Sequence, residues 1–164
     1  MVPEKSILMH KKPFGNLNFG GLDYADLTGA DMSRAKGIQD VKVLGLSKTF
    51  GWRGRWNFKN ISKVFLCYAD LSKVNHMYGA KVISFYGAIG LPKVIDLTET
   101  DDAYFDNADF TTVQEVICNF NTKLHGLDSC KNWRDKIKYA ASKTMLTQED
   151  ALVLIKKILN GKLR

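Results

Sequence analysis

Small and large apolar residues alternate with a period of five over residues 15–36. The first position of each group is small: Gly15, Gly20, Ala25, Ala30 and Ala35. The third position is large: Leu17, Leu22, Leu27 and Met32. A helix needs apolar residues three and four apart and a strand needs them two apart, so this period predicts a coil of short extended sides joined by corners. Small residues suit the inside of such a coil, where the sides converge and larger side chains would overpack it.

A longer repeat runs through the chain. The segment Tyr-Ala-Asp-Leu-Thr at 24–28 returns as Tyr-Ala-Asp-Leu-Ser at 68–72 and as Asn-Ala-Asp-Phe-Thr at 107–111. Near-regular recurrence of this kind predicts a solenoid, in which each unit buries its apolar edge against the next one. We expect the aspartates to accept backbone N–H bonds at the corners of the coils: Asp26, Asp31, Asp70 and Asp109. Solenoids present extended surfaces, which favours binding over catalysis.

The five-residue motif resembles that of the pentapeptide-repeat family, in which Ala, then Asp or Asn, then Leu are joined by two variable positions. The match covers residues 15–36 and returns at Ala69-Asp70-Leu71 and Ala108-Asp109-Phe110. The segment 78–97, which includes Leu-Pro-Lys-Val-Ile-Asp-Leu at 91–97, resembles degenerate bacterial leucine-rich-like repeats. Both resemblances imply a right-handed parallel β-solenoid. A square coil and a flatter coil remain open alternatives.

Four β-prone runs set the size of the predicted coil. They start near Val43, Val64, Val82 and Ala103, about 20 residues apart, which is also the length of four five-residue sides. We therefore expect a β-solenoid of roughly five coils over residues 14–125, preceded by an N-terminal segment over residues 1–13.

Residues 131–164 have helical spacing instead. Apolar residues on one face predict a first helix over 132–143: Trp133, Ile137, Ala140 and Ala141. A second helix is predicted after an N-cap at Thr147, with an apolar face that includes Leu152, Ile155 and Leu159. We expect these two helices to cover the last coil as a cap. The predicted fold class is therefore mainly β with an α cap.

Charge is concentrated at the same end of the chain. The 164 residues carry a net charge of +7, and residues 131–164 account for +6 of it. A basic face can contact an acidic partner or nucleic acid, but it can also be an ordinary solvated surface. The candidate anion contacts are Arg134, Lys136, Lys138, Lys156 and Lys157. Some pentapeptide-repeat proteins imitate DNA with an acidic rod, and the near-neutral solenoid predicted here lacks that charge.

Aromatic and basic residues cluster in a segment that we expect to be a loop inserted into the solenoid at 48–59. Its candidate partner-binding residues are Phe50, Trp52, Arg53, Arg55, Trp56 and Lys59. Trp and Arg are enriched at protein hot spots, and aromatic rings beside cations also suit single-stranded nucleic acid. The third alternative is a long turn whose aromatic rings fold back onto the core.

Signals for chemistry are weak. Three cysteines with no Cys-x-x-Cys pair point to a reducing compartment rather than a disulfide framework. The histidines share no metal-ligand spacing with them, and the acidic run that begins at Glu99 and Asp101 lacks the order of a calcium loop. We expect no catalytic residue, no metal and no cofactor.

Together these features predict a non-catalytic macromolecular interaction module. It would act as a protein-binding scaffold, an inhibitor or an adaptor of the kind that some bacteria deliver into hosts, and a homodimer is plausible for a solenoid with open ends. The alternative is a nucleic-acid-binding protein that uses the basic C-terminal helices and the 50–59 segment. No apolar run is long enough for a membrane span or a signal-peptide core, so we expect a cytoplasmic protein or delivery that needs no signal peptide.

Overall fold

The computed structural model describes residues 6–8 and 15–140, and within them the chain is built from short parallel strands. The strands are β1 (Ser6–Leu8), β2 (Gly15–Asp26), β3 (Ala35–Gly45), β4 (Gly54–Asn57), β5 (Lys63–Phe65), β6 (Val74–Tyr78), β7 (Val82–Ser84), β8 (Val94–Leu97), β9 (Asp102–Tyr104), β10 (Glu115–Cys118), β11 (Lys123–His125) and β12 (Ile137–Tyr139). Two single-turn 3₁₀ segments, Met32–Arg34 and Leu127–Ser129, are the helical structure of the described part.

The strands form two parallel sheets that are wound together. One sheet has the order β1-β2-β3-β5-β7-β9-β11, and the other has the order β12-β10-β8-β6-β4. From β3 onward the chain alternates between the two sheets, so each circuit is one coil of a β-solenoid with about six coils. Equivalent positions in the first sheet are 19 to 21 residues apart: Ala25, Leu44, Val64, Ile83, Ala103 and Leu124. This confirms the predicted solenoid and its coil length.

The core is a set of side-chain columns that run along the solenoid axis. One column contains Leu27, Leu46, Leu66, Phe85 and Phe105, which occupy equivalent places and are fully buried. A second column is small, as the five-residue period requires, and includes Ala30, Ala69, Ala88 and Ala108. Large and small columns side by side allow successive coils to approach at the spacing of β-strands.

The predicted corner aspartates are confirmed by their hydrogen bonds. Asp70 Oδ1 accepts the Ser72 backbone N–H at 3.0 Å, and Asp109 Oδ1 accepts that of Thr111 at 2.9 Å. Asp26 and Asp31 make the same contact with Thr28 and Ser33. These bonds satisfy N–H groups that a sharp corner leaves without a ladder partner.

A second corner is made by left-handed backbone in every coil. The column is Gly29, Lys48, Tyr68, Gly87 and Asn107, with φ between 56° and 74°. From Gly29 to Gly87, each of these four residues donates its backbone N–H to a backbone carbonyl of the next coil at 2.8 Å. The stacking of coils therefore helps to hold the left-handed conformation, whichever residue occupies the corner. Lys48 and Tyr68 adopt it without the freedom of glycine, which costs stability.

The predicted two-helix cap is wrong. No α-helix occurs in the described residues, and Ile137–Tyr139 is strand β12, which pairs with β10 through Val116↔Ile137 and its neighbours. The open edge of β10 offers backbone partners, such as the Cys118 carbonyl for the Ala140 N–H at 2.8 Å, and this outweighs the local helical spacing. The second predicted helix falls on residues 141–164, outside the described residues.

Residues 48–59 belong to the regular winding. Leu44 and Val64 lie on either side of this segment and are partners in adjacent strands, 20 residues apart like the other equivalent pairs. The segment therefore adds no length to its coil, although β4 departs from the strict five-residue motif. Among the described residues, no helix is long and apolar enough to cross a membrane.

The left-handed backbone at Lys48 gives a first test, because glycine at this position removes the strain of the positive φ. We expect Lys48→Gly to be more stable than Lys48→Ala by about 1 kcal/mol, because both remove the side chain but only glycine adopts a positive φ without strain. Chemical denaturation of the two variants measures this difference. Equal stabilities would show that the corner is not left-handed in solution.

The Asp70 corner gives a second test. Hydrogen bonds from the Ser72 hydroxyl and backbone N–H lower the pKa of Asp70 below its ordinary value of 3.8. We expect Asp70→Ala to lower the free energy of unfolding by about 1 kcal/mol and Asp70→Asn, which keeps an acceptor, to lower it less.

The pH dependence follows from the lowered pKa. The stability contributed by the carboxylate is present above pH 3.8 and is lost as the pH falls through the lowered pKa of the folded protein. The difference in the free energy of unfolding between wild type and Asp70→Asn should therefore be constant from pH 7 to 5 and shrink below pH 3.8 in denaturation experiments. A difference that grows on acidification would contradict the assigned contact.

Candidate binding surfaces

The two tryptophans of the 50–59 segment are in the core. Trp52 and Trp56 are 1% and 3% exposed, and their rings meet edge to face with centroids 4.4 Å apart. Trp52 Nε1 donates to Thr49 Oγ1 at 2.9 Å, and Trp56 Nε1 donates to the Arg53 carbonyl at 3.0 Å. Both indole N–H groups are therefore satisfied inside the protein, and neither ring is available to a partner.

The charged residues of the same segment point outward. Strand alternation along β4 buries Trp56 and exposes Arg55 on one side of it and Asn57 on the other. Arg53 is also exposed, and Lys59 is half-buried. The structure therefore separates the predicted cluster into buried rings and surface cations, which the composition of the segment alone does not distinguish.

Arg55 is held by two neutral side chains of the next coil. Its Nη2 lies 3.1 Å from His76 Nδ1 and donates to the Tyr78 hydroxyl, and its guanidinium lies over the Tyr78 ring. Lys59 lies over the same ring and donates to Glu99 Oε1 at 2.7 Å, which raises the pKa of Lys59. Arg55 thus keeps its charge uncompensated, whereas Lys59 shares its charge with an acid.

His76 is neutral in this arrangement. Arginine can only donate, so Nδ1 is the acceptor and the ring proton is on Nε2. Nε2 is buried and has no hydrogen-bond partner among the described residues. Burial, and next the charge of Arg55, lower the pKa of His76 below 6.5.

Three cations from two successive coils line one cavity of about 290 Å³: Lys36, Arg55 and Lys59. Amide side chains complete its polar wall: Asn16, Gln39, Asn57 and Asn60. Sequence reasoning missed Lys36 and the amides because they are separated from Arg55 by up to 39 positions and only the winding brings them together.

Four large apolar side chains are exposed at or within two residues of the left-handed corner column that runs through Lys48, Tyr68 and Gly87, and we call this group the apolar face: Phe50, Tyr68, Tyr86 and Ile89. Their exposed fractions are 48%, 52%, 39% and 58%. Tyr68 and Tyr86 meet edge to face with centroids 5.4 Å apart. Phe50 and Ile89 lie on either side of Asp70 in the backbone ladder, about 10 Å apart at the spacing of parallel strands.

Two of the predicted C-terminal basic residues are paired with acids. Lys138 Nζ lies 2.9 Å from Glu115 Oε1, and Lys136 Nζ lies 3.2 Å from Asp135 Oδ2. Arg134 is exposed and lies over the Trp133 ring. Lys156 and Lys157 lie outside the described residues.

Side chains that could act in catalysis or bind a metal are dispersed over the described part of the chain. The three cysteines are free, and burial raises the pKa of Cys118 to about 11, which makes it a poor nucleophile. His125 Nε2 lies 2.9 Å from Asp102 Oδ1 at the surface, stacked on Tyr104. No group of three or more His, Cys, Asp and Glu side chains among residues 15–140 could hold a metal ion.

The state of His76 gives a third test. We expect NMR of the imidazole nitrogens at pH 7 to show a neutral ring protonated on Nε2, with a pKa below 6.5. Because the unfolded chain takes up this proton at a higher pH than the folded chain, stability should fall as the pH drops below 6.5, and less so in His76→Gln. A ring that is charged at pH 6.5, or protonated on Nδ1, would contradict the contact with Arg55.

Comparisons with models of protein families, with curated proteins and with solved structures give no match for this chain. The function proposed below therefore rests on the geometry of these surfaces.

Proposed function

We propose that this chain is a non-catalytic interaction module that binds a protein partner through the apolar face of its β-solenoid. The observation that carries the proposal is the exposure of four large apolar side chains at or within two residues of the left-handed corner column: Phe50, Tyr68, Tyr86 and Ile89. Exposed apolar groups that are gathered together mark interaction sites more often than single exposed residues do. Their backbone is held in the ladder, so little order has to be gained on binding.

The charges around the apolar face favour one kind of partner. Acidic and apolar side chains alternate along one column of the backbone ladder, in the order Asp31, Phe50, Asp70, Ile89 and Asp109. Hydrogen bonds from Ser72 and Thr111 lower the pKa of Asp70 and Asp109, which keeps both charged at neutral pH. A protein segment with apolar side chains next to Lys or Arg would complement this pattern.

A protein partner is favoured over nucleic acid. The carboxylates on the apolar face repel phosphates, and the tryptophans that could stack on bases are buried. Lys136 and Lys138 are each paired with an acid, which reduces the attraction for a polyanion.

The resemblance to pentapeptide-repeat and leucine-rich-like proteins supports the same class of function. It rests on the Ala-Asp-Leu motif and on a β-solenoid fold, and it agrees with a scaffold, inhibitor or adaptor role. A bacterial source, cytoplasmic synthesis and delivery without a signal peptide are parts of this proposal that rest on the resemblance alone.

Capture of partners from a lysate with matched surface variants gives a fourth test. We expect Phe50→Ser and Ile89→Ser each to reduce recovery of a specific protein at least tenfold, because each removes exposed apolar area from the apolar face. Phe120→Ser is the matched control, since Phe120 is 41% exposed but stacks on Tyr139 elsewhere. Trp52→Ala is unsuitable, because removal of a core ring costs about 3–5 kcal/mol of stability.

The outcomes separate the alternatives. The proposal is supported if a specific protein is recovered after nuclease treatment, is lost with Phe50→Ser and with Ile89→Ser, and is still recovered with Phe120→Ser. Binding that disappears with nuclease, or that falls equally in the control, contradicts it. A dimer at micromolar concentration that dissociates in Ile89→Ser would instead identify a second copy of the chain as the occupant.

A further inference from the structure

The basic cavity lies where one of the two sheets ends. Strand β4 is the last strand of its sheet and pairs on one side, with β6. The beginning of β3 runs nearby, but it pairs with β2 and β5, so among the described residues no ladder joins it to β4. The cavity lies between these two elements and is lined by Lys36–Gln39 on one side and by alternate residues from Arg55 to Ile61 on the other.

The cavity is a concentrated positive site. Lys36, Arg55 and Lys59 line it, and no acidic side chain does so among the described residues. Neither Lys36 nor Arg55 has a carboxylate within 4 Å in the described part of the chain. Lys59 is the exception, because it is paired with Glu99. Lys36 and Arg55, which have no matching acid, repel each other and the nearby Lys59, and a bound anion would relieve that repulsion.

The donors around the cavity are oriented in advance. Arg55 is fixed by His76 and Tyr78, two neutral groups that leave its charge available to a ligand. Asn57 Oδ1 accepts the Lys59 backbone N–H at 3.0 Å, so its amide NH₂ remains as a donor. Guanidinium, ammonium and amide donors from separate strands can surround a tetrahedral oxyanion from several sides.

We infer that this cavity binds a phosphate group carried by a small molecule. A phosphate monoester has a charge of about −1.5 to −2 at neutral pH and three strong acceptor oxygens. This charge matches Lys36 and Arg55, which have no acidic partner, together with Lys59, which is paired with Glu99. A volume of about 290 Å³ also leaves room for a small organic group beside the phosphate.

The surroundings of the cavity favour a single phosphate over a polyanion. Further along the same sheet lie the exposed Glu99 and the half-buried Asp96 and Glu115, so a nucleic-acid backbone that continued in this direction would meet carboxylates. The inference is independent of the apolar face and of the function proposed above.

Titration with glycerol 3-phosphate, followed by calorimetry and by backbone amide shifts, tests the inference. We expect saturable binding with shifts at Gly37, Asn57 and Lys59, and an apparent Kd at least tenfold higher in both Lys36→Gln and Arg55→Gln. Lys63→Gln is the matched control because it removes the same charge from an exposed position that does not line the cavity, and we expect less than a twofold change. Lys36→Gln alters an exposed side chain, so loss of fold would not explain its effect.

Further probes decide the source of the anion. Inorganic phosphate should compete for the site and sodium acetate should not, because a planar monoanion uses fewer of the donors. If Lys63→Gln weakened phosphate binding as much as Lys36→Gln and Arg55→Gln do, or if acetate bound as tightly as phosphate, the binding would reflect general charge attraction and the inference would be overturned. Tighter binding of a ten-nucleotide single-stranded DNA through the same residues, with steep weakening by salt, would assign the site to nucleic acid and also overturn it.

Discussion

The structure depends on the stacking of equivalent residues from successive coils in register along one axis. A single coil has too little apolar surface to bury on its own, so each is stable only against its neighbours. The large column from Leu27 to Phe105 and the alanine column beside it let the backbones approach to the distance of a β-ladder. The ladder then satisfies the backbone N–H and C=O groups of strands that, apart from β2 and β3, are only three to five residues long.

The same stacking also determines the surfaces. An outward position in one coil lies next to the outward position of the next, so exposed side chains form columns rather than scattered points. Acidic and apolar residues alternate in one column, from Asp31 to Asp109, and this column contributes Phe50 and Ile89 to the apolar face. On another side the stack places His76 and Tyr78 beside Arg55, which orients the guanidinium at the cavity.

Departures from the five-residue motif coincide with the chemically distinct regions. Trp56 takes the place that Met77, Ile95 and Val116 occupy in the following coils, and the ladder of the second sheet stops at β4. The gap beside β4 holds the cavity with its three cations. The cavity therefore lies where the regular segment 15–36, which supplies Asn16 and Lys36, meets the segment around β4.

The sequence by itself determined the solenoid, its coil length and its aspartate corners, because these depend on a local period and on side-chain bonds two residues away. Only the tertiary structure decided the rest. Residues 132–140 have helical spacing but join a sheet at Ile137–Tyr139, because the open edge of β10 supplies backbone partners that local propensity does not encode. The tryptophans are inside and Arg55 is outside, because their orientation depends on the register of β4 against β6. The cavity depends on contacts between residues as distant as Asn16 and Ile61, and no local pattern in the chain specifies that contact.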